Sequence, residues 1–164
     1  MKFFLDTEFI EDGKTIDLIS IGVVALGGNV LGKYYAESAD VDLSKANAWV
    51  RDNVIPHLSG NTTPRKQIRD ELVAFVSRFC DESDPPEFYG YYADYDWVAL
   101  CQLFGTMMDL PSGWPMFCMD LKQMSVMLGS PKHPADPIGE HNALVDAMWN
   151  VEFFKTLESA RVSV

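Results

Sequence analysis

The sequence predicts an α/β domain built on a mixed sheet, with helices against both faces. Three observations carry this. The first 37 residues hold three apolar, β-branched runs split by short turns, the pattern of an antiparallel meander. From Thr63 onward the apolar period changes to that of helices, interrupted by short strand-like runs. No repeat, low-complexity tract or long linker breaks the chain, so residues 1–164 read as one domain. Strands joined through helices run parallel, which makes the sheet mixed: three antiparallel strands, then parallel ones.

Taken in order, Lys2-Phe3-Phe4-Leu5-Asp6-Thr7-Glu8-Phe9 is the first strand, apolar enough to lie centrally. Glu11–Lys14 is a turn. Residues 16–26 (IDLISIGVVAL) form a second central strand, and residues 31–37 follow the Gly27-Gly28-Asn29 turn as a third. A looser stretch, 38–63, has room for a short helix at 46–50. Thr63-Pro64 has the form of an N-cap with proline at the first helical position. Ile68, Leu72, Phe75, Val76 and Phe79 then mark the buried stripe of a helix. After Pro85-Pro86, residues 87–92 read as a short aromatic strand and 95–104 as a helix. A brief strand at 115–119 precedes a helix at 120–128. Pro131, Pro134 and Pro137 stiffen a loop, and a last helix runs from His141 to Ser159.

Composition narrows the function. Thirteen Lys and Arg stand against 24 Asp and Glu, a net charge of −11. A long-duplex binder needs a basic footprint, and this chain has none. Either the substrate is not nucleic acid, or it is a short single-stranded end held by metal ions and stacking. No apolar run approaches the ~20 residues of a membrane span, and no basic segment leads into an apolar one at the start, so neither membrane association nor a signal peptide is expected. Cys80, Cys101 and Cys118 are odd in number with no CxxC pair. They argue against a disulfide framework or a structural zinc site, and for a reducing, cytoplasmic compartment.

Five residues stand out against that background: Asp6, Glu8, Asp96, His141 and Asp146. Strand side chains alternate, so Asp6 and Glu8 project from one face at the end of an apolar strand. Two like charges there call for something positive between them, and a divalent cation suits. Small residues in the neighbouring strand, Ser20 and Gly22, leave room for a ligand backbone to approach. Asp96 follows Tyr95 where a strand gives way to a helix, the end of an α/β sheet that ligands favour. Asp94 suits the helix cap better, with Asp96 as the ligand; the reverse assignment is the alternative. Asp146 lies among apolar neighbours on the last helix and needs a metal, a cation or a proton. His141 precedes it by five residues, at the helix start. His57 and His133 have no comparable setting and read as surface or structural residues.

The ordered motifs Asp6-Thr7-Glu8, Tyr95-Asp96 and His141-Asn142-Ala143-Leu144-Val145-Asp146 resemble those of the DEDDh 3′–5′ exonucleases across essentially the whole chain. Length and element order fit the RNase H-like fold of that family. Within it, Asp6–Gly13, Leu18–Val24 and Val98–Leu103 are most similar to RNase AS-like exoribonucleases. The resemblance implies a 3′–5′ exoribonuclease acting on single-stranded, adenylate-rich RNA 3′ ends, a homodimer, and two Mg²⁺ ions with Mn²⁺ as a substitute. It also implies roles. Asp6 bridges the ions, Glu8 and Asp146 hold one, Asp96 acts mainly through coordinated water, and His141 accepts the proton of the attacking water. An imidazole, with an ordinary pKa of about 6.5, suits that last task at neutral pH. A single-stranded DNA exonuclease is the alternative, and a non-catalytic RNA-end-binding module is a third reading.

Substrate contacts are expected next to the metal pair. Phe9 and Ile10 are candidates to stack on bases, although alternation puts Phe9 opposite Glu8. Backbone groups at Thr7 and Phe9 could hold the 3′-hydroxyl, with Ser20 as a further candidate. Arg65-Lys66-Arg69 reads as a solvated helix face, or as a track for upstream phosphates.

Overall fold

The computed structural model describes residues 1–162. Three long strands, β1 (Lys2–Glu11), β2 (Ile16–Gly27) and β3 (Asn29–Ser38), form the expected antiparallel meander. Three short strands, β4 (Thr62–Thr63), β5 (Glu87–Gly90) and β6 (Met119–Asp120), complete a six-stranded sheet of order β4-β3-β2-β1-β5-β6. All three short strands pair in parallel, so the sheet is mixed as the alternation of helices and strands implied.

Alternation along β1 sorts the two faces. Phe3 and Leu5 point to one side, where α2 (Arg65–Ser77) and α3 (Asp94–Phe104) cover them with Ile68, Leu72, Phe75, Ala99 and Leu100. Phe4 points to the other, into a core with Leu121 of α4 (Leu121–Met127) and Val151, Phe154 and Leu157 of α5 (Ala143–Val162). Asp6 and Glu8 continue the Phe4 side of the strand beyond that core. A short helix, α1 (Ala48–Asn53), lies further along; Ala46, Val50 and Val54 pack there with Ile10 and Ile19. No helix among the described residues is long and apolar enough to cross a membrane.

Several boundaries differ from expectation, two of them because a distant residue intervenes. Thr63 does not cap α2. It is drawn into β4 beside Ser38, and Asp40 accepts the Arg65 N–H at 2.7 Å instead. Asp94 does not cap α3; it is that helix's first residue, and the preceding Ala93 N–H donates to Asp120 at 2.9 Å. The strand expected over 87–92 stops at Gly90, since Tyr92 takes a left-handed conformation (φ 55°). The strand expected over 115–119 shortens to Met119–Asp120. The last helix begins at Ala143, not His141: His141 is left-handed (φ 68°), and Asn142 accepts the N–H groups of Leu144 and Val145 at 3.1 and 3.3 Å.

Candidate active site

Asp6 and Glu8 stand in the middle of β1, in register with Gly22 and Ser20 of β2. Gly22 is where α5 docks. A methyl group at that position would meet the carbonyl of Ala143 and, at 2.5 Å, the Cα of Leu144. The small residue thus seats the first turn of a helix, where the sequence had suggested space for a ligand. Asn150 adds a second tie, donating to the Leu5 carbonyl at 2.9 Å. With α5 so placed, ligand atoms of Glu8, His141 and Asp146 lie within 4.8 Å of one another.

The other face supplies Asp96. Thr7 points away from Asp6 and Glu8, and both its N–H and its hydroxyl donate to Asp96 Oδ1, at 2.8 and 2.6 Å. A buried carboxylate with two donors on one oxygen keeps its second oxygen to offer. Both donors of Thr7 are thus engaged in orienting Asp96. On α5, the His141 N–H donates to Asp146 Oδ2 at 2.8 Å.

The electrostatics set four carboxyl groups against one another. Enclosure by protein, with Asp96, Glu8 and Asp146 adding repulsion, drives the Asp6 carboxyl well above the usual carboxylate range. Burial, then the charges of Asp146 and Asp96, pushes Glu8 to about 8. Burial raises Asp96 to about 6 against the pull of Thr7, and raises Asp146 to about 6 against its bond from His141. Among the described residues, no Lys or Arg is ion-paired with any of the four. An all-carboxylate set of this kind fits a hard, oxygen-preferring divalent ion.

The remaining expected contacts divide. Ser20 is fully buried behind Glu8. Ile10 is buried among Ile19, Val50 and Val54, so its packing role displaces the expected one as a base platform. Phe9 lies half-buried on the face away from Glu8, edge-on to Tyr95 at 5.7 Å. Arg65 is ion-paired with Asp17 and donates to Ser38 and the Leu18 carbonyl, while Lys66 and Arg69 pair with Asp70. The cluster braces α2 rather than forming a free track.

Other neighbours escaped the sequence reading. Trp49 on α1, 53% exposed, meets the His141 ring edge-on at 4.8 Å. His57 adds to the electrostatic environment of Asp146, and its carbonyl accepts from Asn142 at 3.4 Å. A cavity of about 270 Å³ opens between Asp6, His141 and Asp146 on one side and Tyr91, His133 and Trp149 on the other. An exposed tryptophan on a short helix was the one local signal available; the rest depends on how the chain folds back.

Comparison with known proteins gives the family and the fold. Residues 1–158 match the model of the 3′–5′ exoribonuclease Rv2179c-like domain. The chain is 43% identical over 163 residues to the 3′–5′ exoribonuclease Rv2179c of Mycobacterium tuberculosis, covering 97% of this chain and 94% of that one. The corresponding protein MT2234.1 of a second strain of that species matches equally. Among solved structures, the nuclease domain of 3′hExo, a DEDDh family member bound to rAMP, superposes with a TM-score of 0.62 at 12% identity, over 98% of this chain and 90% of that one. A 3′-exonuclease in a histone mRNA stem-loop complex gives 0.62 at 11% identity, over 96% of this chain; the chain spans 63% of that one. These two likenesses establish the RNase H-like exonuclease fold, and the family match together with the near-full-length relatives shows that the chain belongs to the Rv2179c-like family of 3′–5′ exoribonucleases.

Proposed function

We propose that this chain shortens single-stranded RNA from its 3′ end, releasing nucleoside 5′-monophosphates with the help of two Mg²⁺ ions, for which Mn²⁺ can substitute. The observation that supports this most directly is the convergence of four carboxylates from both faces of the sheet beside His141, with no Lys or Arg among the described residues ion-paired to them. When bound, a pair of divalent cations supplies an acidified water and positive charge for the phosphoryl oxygens. Asp6, whose charge is opposed by burial and by Asp96, Glu8 and Asp146 together, would be shared between the ions. Glu8 and Asp146 would help hold the ions, and Asp96 would offer the oxygen that Thr7 leaves free. His141 accepts the proton of the attacking water, held near it by the bond from its own N–H to Asp146.

Substrate contact falls to exposed rings rather than to basic residues. Trp49 and Tyr95 are both more than half exposed near the site and can stack on unpaired bases. Such stacking is worth about 1–3 kcal/mol per base, which offsets the lack of a basic groove. An adenylate-rich 3′ end is the expected substrate within this reading. A homodimer in the cytoplasm completes it. The exposed Met108, Phe117 and Met127 offer apolar surface for a second copy, and the three unpaired thiols accord with a reducing compartment.

The test is a time course on 5′-labelled oligo(A) RNA, mixed-sequence RNA and matched DNA, each with Mg²⁺ and with EDTA. Metal-dependent laddering from the 3′ end, fastest on oligo(A), is expected. Faster loss of DNA would transfer the same chemistry to a deoxyribonuclease. No shortening of any strand, with metal shown to be bound, would leave a module that binds RNA ends without cutting.

A further inference from the structure

The loop 129–142 delivers His141 to the carboxylates; its far end is tied by the His141 N–H to Asp146, by Trp49 and by Asn142, and its middle has a separate anchor. It leaves α4 through two left-handed residues, Gly129 (φ 78°) and Ser130 (φ 56°), and reaches α5 through two more, Gly139 (φ 88°) and His141 (φ 68°). Between these ends, the His133 ring packs on Phe153 at 4.5 Å, on Tyr91 at 5.7 Å and on Trp149 at 6.0 Å. Trp149 also donates its indole N–H to the Ala135 carbonyl at 3.1 Å. Beyond Ala135 the loop stands clear of the core, with Asp136 exposed and Ile138 fully so.

Helix spacing ties this anchor to the metal site. Asp146, Trp149 and Phe153 follow one another at intervals of three and four residues, so one stripe of α5 carries both the carboxylate and the rings that seat His133. Tyr91 comes from the end of β5, next to the sheet edge that positions Asp96. The cavity of about 270 Å³ has His133 in one wall and His141 with Asp146 in the other. A displacement of His133 therefore passes along a proline-stiffened loop to His141, while the carboxylates on β1 and α5 stay where the sheet holds them.

We propose that His133, seated on Tyr91, Trp149 and Phe153, is a positioning residue that sets where His141 stands. The inference rests on the role given to His141 above. It assigns to a second histidine a function through packing rather than through proton transfer. Placing a proton acceptor wrongly by about 1 Å costs on the order of 100-fold in rate.

The experiment measures kcat and KM on 5′-labelled oligo(A) RNA, together with the melting shift produced by Mg²⁺, for H133A, H133F, W149F and H141A. H133A is expected to lower kcat by roughly 10- to 100-fold with KM within about twofold of the unsubstituted protein. Its Mg²⁺ shift should be retained. H133F, which keeps a ring in the seat, should recover most of kcat, and W149F, which loses only the bond to Ala135, should fall between. Unchanged kcat in H133A overturns the proposal. So does loss of the Mg²⁺ shift in H133A, which would mean the residue holds the whole site together. H133F as slow as H133A would overturn it too, since ring packing would not be what matters. H141A separates the two claims: an inactive H141A beside a normal H133A sinks only this inference, whereas a fully active H141A sinks both.

Discussion

Gly22→Ala adds one methyl group on the face of β2 that receives α5. That methyl would stand 2.5 Å from Leu144 Cα and nearer still to the Ala143 carbonyl, where ordinary contact begins at 3.4 Å. The first turn of α5 must then withdraw by at least about 0.9 Å, the shortfall at Leu144 Cα alone. Backbone cannot rotate aside as the end of a long side chain can, so the helix moves as a unit. Asp146 lies in that turn and moves with it; Asp6, directly across from Gly22 on β1, does not. Overpacking of this kind costs about 1–3 kcal/mol. At roughly 2–4 °C per kcal/mol for a domain of this size, the melting temperature should fall by about 2–12 °C. The larger effect is on the reaction, where misplacement near 1 Å removes on the order of 100-fold. Gly27→Ala is the control, because its methyl meets only the flexible side-chain ends of Leu31 at 2.8 Å and Met1 at 3.4 Å, at the far end of β2. Both variants are to be melted with and without Mg²⁺ and assayed on labelled oligo(A). Should G22A turn over RNA as fast as G27A, the docking of α5 on Gly22 does not set the geometry of the site.

Two further predictions rest on single groups. Thr7→Val removes the hydroxyl that holds Asp96 at 2.6 Å but leaves the backbone bond at 2.8 Å. A hydrogen bond to a charged group contributes about 1.5–3 kcal/mol, so T7V should lower the melting temperature and weaken the Mg²⁺ response; an unchanged Mg²⁺ titration would show that Thr7 does not orient Asp96. The carboxylates give a pH prediction whose sign follows from their shifts. Glu8 at about 8, with Asp96 and Asp146 at about 6, binds protons more tightly folded than unfolded. In EDTA these groups therefore favour the folded state at low pH, and that advantage is lost as pH climbs from the ordinary carboxylate range through 6 and on to 8. The melting temperature in EDTA should fall across this window, Mg²⁺ should restore it most at pH 8, and Glu8→Gln should flatten the profile. A melting temperature that rises in EDTA between pH 5 and 8 would contradict the burial assigned to Glu8.

Much of the architecture was open to local reading. The meander is written in period-2 apolar runs, and the same period puts Asp6 and Glu8 on one face. The apolar surroundings of Asp146 likewise mark it as a carboxylate that needs a partner. Local reading failed where a distant segment competes for the same group. Thr63 has the chemistry of a cap, yet the edge of β3 offers a ladder bond and Asp40 performs the capping. Asp94 has the same chemistry, but Asp120 reaches the Ala93 N–H from another strand. Gly22 seemed a gap for a ligand because nothing near it in sequence says that a helix more than a hundred residues later will fill the space.

The amino-acid sequence determined on its own the strands, the main helices, the excess of negative charge and the residue types that meet at the site, since each depends on side-chain chemistry and spacing within a few residues. Tertiary structure alone decided the rest. It brought Thr7 under Asp96, set α5 against Gly22, and turned Trp49 and His133 from bland positions into neighbours of the site. The reason is range: alternation and helical period act between adjacent residues. A hydrogen bond such as that from Asn150 to Leu5 joins groups 145 residues apart, and it forms only once the sheet has brought them together.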